Sequence, residues 1–266
     1  MIKEVRINTI DEALQLLKSE QYDNNINRFR SSYLYRGLQK DSYSLTTTLK
    51  RNCKDKQYDI EKCILRNFAK YAAILEPGMS NSVWNNMMIG QHHGLPTRLL
   101  DWTYSPLIGL NFALSSTNLR ELHNDDCLLW AIDITEINSL LPQKYYGVLS
   151  SESAYLFTVN MLEKCVDSID TYDRDMSNNS FVLIEPPSID QRIVNQYSYF
   201  SIMPSGIDDI EDFLNKNTSK TIKYIISKNI KWQLRDLLDS MNINERIMYP
   251  GLDGLSDWLS RHYFVK

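Results

Sequence analysis

The amino-acid sequence predicts one α+β domain that spans residues 1–266. The length falls within the range of a single mixed domain, and a composition of 43% hydrophobic and 23% charged residues is ordinary for a globular protein. Helical periodicity dominates the first half of the chain, whereas short extended apolar segments cluster in the second half. Because helices and strands do not alternate, the pattern favours a mixed or antiparallel sheet over a doubly wound parallel one.

Short apolar or alternating segments mark the expected strands. Residues 33–36 are aromatic and end at Gly37, and residues 128–134 are apolar enough for a central strand. Three consecutive threonines favour an extended segment over residues 45–49. The remaining expected strands cover residues 5–7, 181–184, 197–203 and 221–227.

Apolar residues recur at helical spacing over residues 59–75, the clearest helix of the sequence, and residues 76–78 mark its end. Ser82 is expected to cap a second helix that stops at Gly94. Ser105, followed by a proline, begins a third helix, because proline loses no needed donor in the first turn. Further expectations are helices over residues 11–17 (capped by Asp11), 151–166, 232–241 and 254–263, and a long surface loop over residues 167–179.

Charge and cysteine content exclude several classes of protein. A net charge of −4 argues against extensive non-specific binding of nucleic acid, which requires a basic surface. The four cysteines are scattered and form no CxxC pair, so a zinc site built on them is not expected. No segment approaches the ~20 apolar residues of a membrane-spanning helix, and the N-terminus has no signal-peptide core. The cytoplasm is the expected compartment.

The densest group of polar and conformationally special residues covers residues 91–105, expected as a loop between two helices. It carries hydrogen-bonding and titratable side chains: Gln91, His92, His93, Arg98, Asp101, Thr103 and Ser105. Arg98 is a candidate for a bidentate grip on a phosphate. The helix that begins after Ser105 offers free amide donors to an anion.

A second group, Tyr35-Arg36-Gly37, ends an expected strand. Arg36 is a candidate anchor for a phosphate or carboxylate. Gly37 would let a ligand approach the backbone closely. Residues 191–196 and the turn at residues 249–255 carry weaker chemical signals.

Structural roles compete with functional ones at several of these positions. Arg36 would serve equally as a buried link between strands, and Asp101 as a helix cap or as the partner of Arg98. Ser105 favours helix capping. His92 suits either packing at a helix end or a titrating role in a cleft.

Tyr35-Arg36-Gly37 resembles the motif after which the FRG domain family is named, with Tyr in place of Phe. Further segments resembling those of the family are residues 91–103, Ser105-Pro106-Leu107, Phe112-Ala113, the trio Arg192, Gln196 and Phe200, and residues 249–255. The resemblance covers residues 33–255. Members of the family occur among bacterial and phage-related proteins.

A fainter similarity is to some ADP-ribosyltransferases, which place an aromatic-Arg-Gly strand first, a Ser/Thr-bearing strand before a helix next, and a Glu or Gln strand last. Tyr35-Arg36-Gly37, then Thr103 with Ser105, then Gln196 follow that order. The similarity implies a split sheet and the use of NAD as a substrate, with no metal. Those enzymes normally place a Glu where Gln196 stands here.

The similarity also implies roles for individual residues. Arg36, His92 and Gln196 are the catalytic candidates. The expected NAD-binding residues are Tyr35, Gly37, Gln91, Arg98, Asp101, Thr103 and Ser105. A missing carboxylate would have to come from Glu185 or Glu152, or else Asp101 or His92 would act as the base.

The resulting functional prediction is an ADP-ribosyltransferase that modifies a macromolecule. The expected acceptor is a nucleic acid or a protein, with RNA or DNA favoured over protein. The expected setting is a toxin or phage-defence effector with an antitoxin as a possible partner and no membrane. One alternative is a module that binds a nucleotide, nucleic acid or protein without chemistry. Another is a metal-dependent nuclease that uses His92, Asp101 and Glu185.

Overall fold

A seven-stranded mixed sheet runs through the computed structural model, which describes residues 1–16, 21–24, 27–75, 82–115, 118–188 and 190–265. The strands are β1 (Lys3–Ile7), β2 (Gln21–Asp23), β3 (Arg28–Arg30), β4 (Tyr33–Leu38), β5 (Leu99–Thr103), β6 (Cys127–Asp133), β7 (Val182–Ile184), β8 (Ser198–Ile202) and β9 (Ile222–Ile226). The order across the sheet is β1-β9-β6-β4-β5-β8-β7, and β2 and β3 form a separate hairpin. The predicted α+β class is confirmed.

The helices pack on both faces of the sheet. They are α1 (Ile10–Gln15), α2 (Thr48–Cys53), α3 (Gln57–Leu75), α4 (Val83–His92), α5 (Pro106–Ala113), α6 (Ile134–Ser139), α7 (Gln143–Ser151), α8 (Val159–Cys165), α9 (Ile169–Met176), α10 (Gln191–Asn195), α11 (Ile210–Asn217), α12 (Lys231–Ser240), α13 (Glu245–Met248) and α14 (Leu252–His262). No helix in the described part of the chain has the length and apolar character needed to cross a membrane.

Strands β4 and β5 meet at a single register pair, Tyr35 with Thr103, whereas β4 pairs with β6 over its full length. The sheet therefore consists of two halves, β1-β9-β6-β4 and β5-β8-β7, that are joined narrowly. The narrow junction partly resembles the split sheet that was expected, but the seven strands still form one sheet. Only β1 and β9 pair in parallel; the other pairs of the seven-stranded sheet are antiparallel.

The hydrophobic core follows the two halves of the sheet. One face is covered continuously by a cluster that includes Leu34, Trp102 and Trp130 and extends to α6 and α11. The opposite face carries two separate clusters. One joins the β5-β8-β7 half to α4 and α7 to α9, and the other joins the β4 half to α1, α5 and α12. On that face the core is therefore divided between the two halves of the sheet.

Several predicted boundaries hold because the local caps are present. Ser82 and Ser105 accept hydrogen bonds from the first turns of α4 and α5, as expected. Gly94 has a φ of +83°, the left-handed conformation that ends a helix such as α4. Predictions for Leu17 and for the helix stop at residues 76–78 lie outside the described residues.

Other predicted elements are wrong. Thr9, not Asp11, caps α1, because its hydroxyl and the Glu12 carboxylate form a reciprocal capping box. The threonines of residues 45–49 lead into α2, with Thr47 as its cap. The strands are also not concentrated in the second half, since β1, β4 and β5 precede residue 104.

Two errors concern the segment that follows β6. Residues 151–166 do not form one helix, because the chain between α7 and α8 is extended where Phe157 bridges Ile184 of β7. Residues 167–179 are not a surface loop. They contain α9, which buries Ile169, Tyr172 and Met176 on one side.

Candidate functional site

A cleft of about 830 Å³ opens beside the junction of the two half-sheets. Binding sites for small ligands commonly have a volume of about 300–1,000 Å³. Its lining comes from β4, from α2 and the segment that precedes it, from the end of α4, from β5, from α5 and the residues that follow it, and from two later segments of the chain. The residues are Tyr35, Arg36, Gly37, Leu38, Gln39, Ser42, Tyr43, Ser44, Thr46, Arg51, Gln91, Asp101, Trp102, Phe112, Ser115, Arg192, Gln196, Ser198 and Tyr249.

Arg36 sits where β4 and β5 separate. The register that pairs Tyr35 with Thr103 would next pair Gly37 with Asp101, but that pair does not form. Instead the Arg36 guanidinium donates through Nη1 to the backbone carbonyl of Asp101 at 2.6 Å and to its carboxylate Oδ2 at 3.3 Å. The arginine side chain thus satisfies a carbonyl that the broken ladder leaves without a strand partner.

The Asp101 carboxylate is held from a second direction. Gln91 donates from Nε2 to both carboxylate oxygens, at 3.1 Å each. The hydroxyl of Thr97 donates to Gln91 Oε1 at 2.7 Å, which fixes the orientation of the amide. Since 54% of the Asp101 side chain remains exposed, the carboxylate is both positioned and open to the cleft.

The lining of the cleft is positively charged although the whole chain has a net charge of −4. Arg36, Arg51 and Arg192 line it, and Asp101 is the sole carboxylate among the described lining residues. Burial lowers the pKa of Arg36, and the Asp101 carboxylate opposes that shift. The guanidinium remains charged, because arginine is not deprotonated in proteins. The cleft is therefore suited to a ligand with negative charge.

Gly37 has a packing role against α5 that the sequence did not predict. A Cβ atom at this position would lie 2.2 Å from the Gly109 carbonyl oxygen and 2.4 Å from the Ala113 amide nitrogen of α5. The glycine therefore lets α5 pack against the backbone of β4, and it also lines the cleft. Gly109 of α5 contributes to the same close packing, because an added Cβ at that position would meet Leu129 and Tyr35.

Arg98 does not reach the cleft, contrary to the phosphate grip expected from the sequence. Its side chain is 5% exposed and pairs with Glu61 and Asp173 through both ends of the guanidinium. Burial disfavours the charged form, but these two carboxylates hold the pKa of Arg98 above its ordinary value. The residue links β5 to α3 and α9. The alternative expectation that Asp101 is its partner is also wrong.

The hydroxyl groups of Thr103 and Ser105, like the guanidinium of Arg98, are bonded to other parts of the fold. The Thr103 hydroxyl is buried and donates to the Gln196 backbone carbonyl at 2.9 Å, while it accepts from the Ser105 amide. The Ser105 hydroxyl caps α5 by accepting from Ile108. Neither side chain lines the cleft, so the predicted contacts with NAD are not supported by their positions.

His92 also lies outside the cleft lining. Its Nε2 pairs with the carboxylate of Asp190, which itself caps α10, and its ring packs edge-on against His93. The histidine therefore ties the end of α4 to the start of α10. Over the described residues, no three side chains of His, Cys, Asp or Glu form a group that could hold a metal ion.

The glutamates considered as substitutes, Glu152 and Glu185, do not line the cleft. Glu152 forms an exposed ion pair with Lys164, and Glu185 is exposed beyond the end of β7. Gln196 does line the cleft, but its amide donates to the Met248 carbonyl at 3.0 Å. That bond makes Gln196 a positioning residue between the end of α10 and the last residue of α13.

Sequence reasoning missed the part of the lining that follows β4. Ser42, Tyr43, Ser44, Thr46 and Arg51 were not singled out, because a serine- and threonine-rich connection is typical of any surface loop. The proximity of this segment to Tyr35-Arg36-Gly37 was the available signal.

The later segments, residues 191–196 and 249–255, carry only weak chemical signals in the sequence besides their resemblance to the family. Arg192 and Tyr249 are brought together by the fold, with the guanidinium carbon 5.0 Å from the centre of the tyrosine ring. They are 57 positions apart in the chain, and no local pattern predicts such a contact.

Comparison with family models gives one match. Residues 31–121 match the FRG domain. The match confirms the predicted resemblance for the segment from β4 through α5, which includes Arg36, Gln91 and Asp101. Arg192, Gln196 and Tyr249 lie beyond the matched segment. Comparison with curated proteins and with solved structures finds no match.

Proposed function

We propose that the protein is an ADP-ribosyltransferase that uses NAD to modify a macromolecule. The observation that carries the proposal is the carboxylate of Asp101, held by Arg36 and Gln91 and open to a cleft that also contains two further arginines. NAD carries two phosphate groups, for which guanidinium groups are fitting partners. The volume of about 830 Å³ accommodates a ligand of that class.

The reaction breaks the bond between the nicotinamide nitrogen and C1′ of the ribose. Nicotinamide leaves with the bonding electron pair, and positive charge develops on the ribose, as in other glycosyl transfers. A negative carboxylate beside that charge stabilises the transition state, and Asp101 is the group assigned to this role. The acceptor then bonds to C1′ and releases a proton, for which Asp101 is also the nearest candidate base.

Three features support this assignment over the original one for His92 and Gln196. Asp101 is exposed to the cleft, whereas the His92 ring and the Gln196 amide are committed to Asp190 and to the Met248 carbonyl. Arg36 keeps the role of a catalytic candidate. RNA or DNA is the proposed acceptor, and a toxin or defence role with an antitoxin partner is the proposed setting.

The test is incubation of the purified protein with labelled NAD in the presence of RNA, DNA or protein extract. We expect nicotinamide release and transfer of label to one of these acceptors. Asp101→Asn should lower the rate about 100-fold or more, because it removes a charge used in the transition state. Arg36→Ala should also abolish transfer. Arg174→Ala, at an exposed position on α9, is the matched control and should behave as the native protein.

One observation favours the second candidate, a nucleotide-binding module without chemistry. Both oxygens of Asp101 already accept hydrogen bonds from Gln91, and one also faces Arg36, so the carboxylate is well satisfied. A module would bind ADP-ribose yet release no nicotinamide from NAD. That result, obtained with folded protein, would reject the transferase and support the module.

A further inference from the structure

Arg192 is the cleft arginine whose donors are not taken by other groups. Arg36 is bound to Asp101, and Arg51 donates to the Thr46 carbonyl and the Thr48 hydroxyl. Arg192 forms no hydrogen bond or ion pair through its guanidinium with any described residue, and its Nε is buried. A buried, charged donor of this kind has lost its contact with water and gains from an anionic partner.

The guanidinium of Arg192 is nevertheless held in place. It stacks on the ring of Tyr249, with 5.0 Å between the guanidinium carbon and the ring centre. Such cation–π stacking orients the plane of an arginine without using its N–H donors. The fork of donors therefore remains available, at a fixed orientation, on the wall of the cleft.

The pair is held together by side-chain-to-backbone hydrogen bonds between the segments that carry Arg192 and Tyr249. Asn195 and Gln196, at the end of α10, donate through their side chains to the carbonyls of Ile247 and Met248, at 2.7 and 3.0 Å. These bonds fix α10, which carries Arg192, to the residues just before Tyr249.

Tyr249 is also constrained from the other side. Its amide donates to the carbonyl of Glu245 at 2.8 Å, and the Glu245 carboxylate lies between the buried guanidiniums of Arg235 and Arg261. Gly254 lets α14 approach closely, since a Cβ there would lie 1.9 Å from the Tyr249 carbonyl oxygen. The stacked tyrosine therefore belongs to a rigid part of the fold, which reduces the entropy lost when a ligand binds.

We infer that Arg192, stacked on Tyr249, is the phosphate-binding element of the cleft and receives the diphosphate of a nucleotide. Arg36 lines the same cleft and is the second arginine assigned to the anion, since its own Nε is buried without a partner among the described residues. The inference deepens the proposed function. The identification of the diphosphate as that of NAD rests on that proposed function. Both Arg192 and Tyr249 lie outside the segment that matches the FRG domain.

The test is isothermal titration calorimetry with ADP, adenosine and inorganic pyrophosphate as probes. The native protein should bind ADP and pyrophosphate, and it should bind adenosine more weakly than ADP. Arg192→Gln should weaken ADP binding by about ten- to a hundredfold and remove the preference over adenosine, because a charge-assisted contact is lost. Tyr249→Leu should weaken it by about three- to thirtyfold through loss of the stack.

Arg246 offers a matched control. Its guanidinium carbon lies 4.7 Å from the centre of the Trp258 ring, so it forms the same kind of stack, but it does not line the cleft. Arg246→Gln should leave ADP binding unchanged. Arg192→Met is a second variant without charge, so a folding defect in one Arg192 variant leaves the other to decide.

The outcomes separate this inference from the transferase itself. Native affinity for ADP in a folded Arg192→Gln or Arg192→Met protein would overturn the phosphate site, whatever the NAD assay shows. Failure of the native protein to bind either ADP or pyrophosphate would overturn it as well. Binding of ADP that depends on Arg192, without nicotinamide release from NAD, would support the site and reject the transferase.

Discussion

The guanidinium of Arg36 occupies the place that a backbone amide would take if β4 and β5 continued their ladder past the Tyr35–Thr103 pair. Its Nη1 lies 2.6 Å from the carbonyl oxygen of Asp101 and 3.3 Å from the carboxylate of the same residue. One side chain therefore closes the end of a strand pairing and also positions a candidate catalytic group. Stability and activity are expected to respond differently when either partner is changed.

The first prediction concerns that pair. Arg36→Met should lower the free energy of unfolding by about 1–3 kcal/mol, because the Asp101 carbonyl loses its partner. Asp101→Asn should lower it by less than about 1 kcal/mol, because the carboxylate is exposed and the carbonyl contact remains. Urea denaturation of both variants measures the difference. Equal losses would show that the carboxylate, not the carbonyl, is the main structural partner.

The second prediction concerns Gly37. Gly37→Ala should destabilise the protein by about 1–3 kcal/mol or more, since the added methyl group meets the backbone of α5, which has to move. Gly147→Ala is the matched control, because a Cβ within α7 at that position meets nothing within 4 Å. That change should stabilise by up to about 1 kcal/mol, as expected for glycine replaced by alanine in a helix. A neutral Gly37→Ala in urea denaturation would disprove the close packing.

The third prediction concerns Arg98. Arg98→Met should reduce the free energy of unfolding by about 3–5 kcal/mol, because two carboxylates lose their buried partner. Lys216→Met, which breaks the exposed pair with Asp212 on α11, should cost less than about 1 kcal/mol. The affinity of folded Arg98→Met protein for ADP, measured by calorimetry in the cold, should equal the native value. A tenfold weaker affinity for ADP would instead indicate that Arg98 contacts the ligand.

The fourth prediction concerns the cap of α5. Ser105→Ala should lower the free energy of unfolding by about 1 kcal/mol, whereas Ser105→Gly should lower it by only about 0.3 kcal/mol. Thermal unfolding of the two variants gives the comparison. Neither change should alter ADP affinity, since the hydroxyl serves Ile108 and not the cleft. A selective loss of affinity in Ser105→Ala would indicate a ligand contact that the hydrogen bonds do not show.

The sequence predicted those parts of the fold that depend on local chemistry. Neighbouring residues alone predict the caps at Ser82 and Ser105, the long periodic helix α3 and the apolar strand β6. β5 was missed, because its five residues include the polar Asp101 and Thr103 and follow a dense polar run. Tertiary pairing with β8, almost a hundred residues later, makes it a strand.

The candidate site was predicted in part for the same reason. Arg36, Gln91 and Asp101 lie within residues 31–121, where motif chemistry was informative. Arg98 has the same chemistry as Arg36, and only its distant partners, Glu61 and Asp173, show that it belongs to the core. An arginine's side chain alone does not reveal whether a carboxylate of the same fold already neutralises it.

The walls of the cleft are separated along the chain, and this affects how the protein acquires its site during synthesis. Residues 35–115 supply β4, β5 and α5, while the wall with Arg192 and Tyr249 is translated more than 75 residues later. A chain made only as far as residue 190 would therefore lack both this wall and strand β8, which pairs with β5 along its full length. The cleft gains its last wall only when the chain has been made through Tyr249, so a ligand would meet the complete lining only after that point.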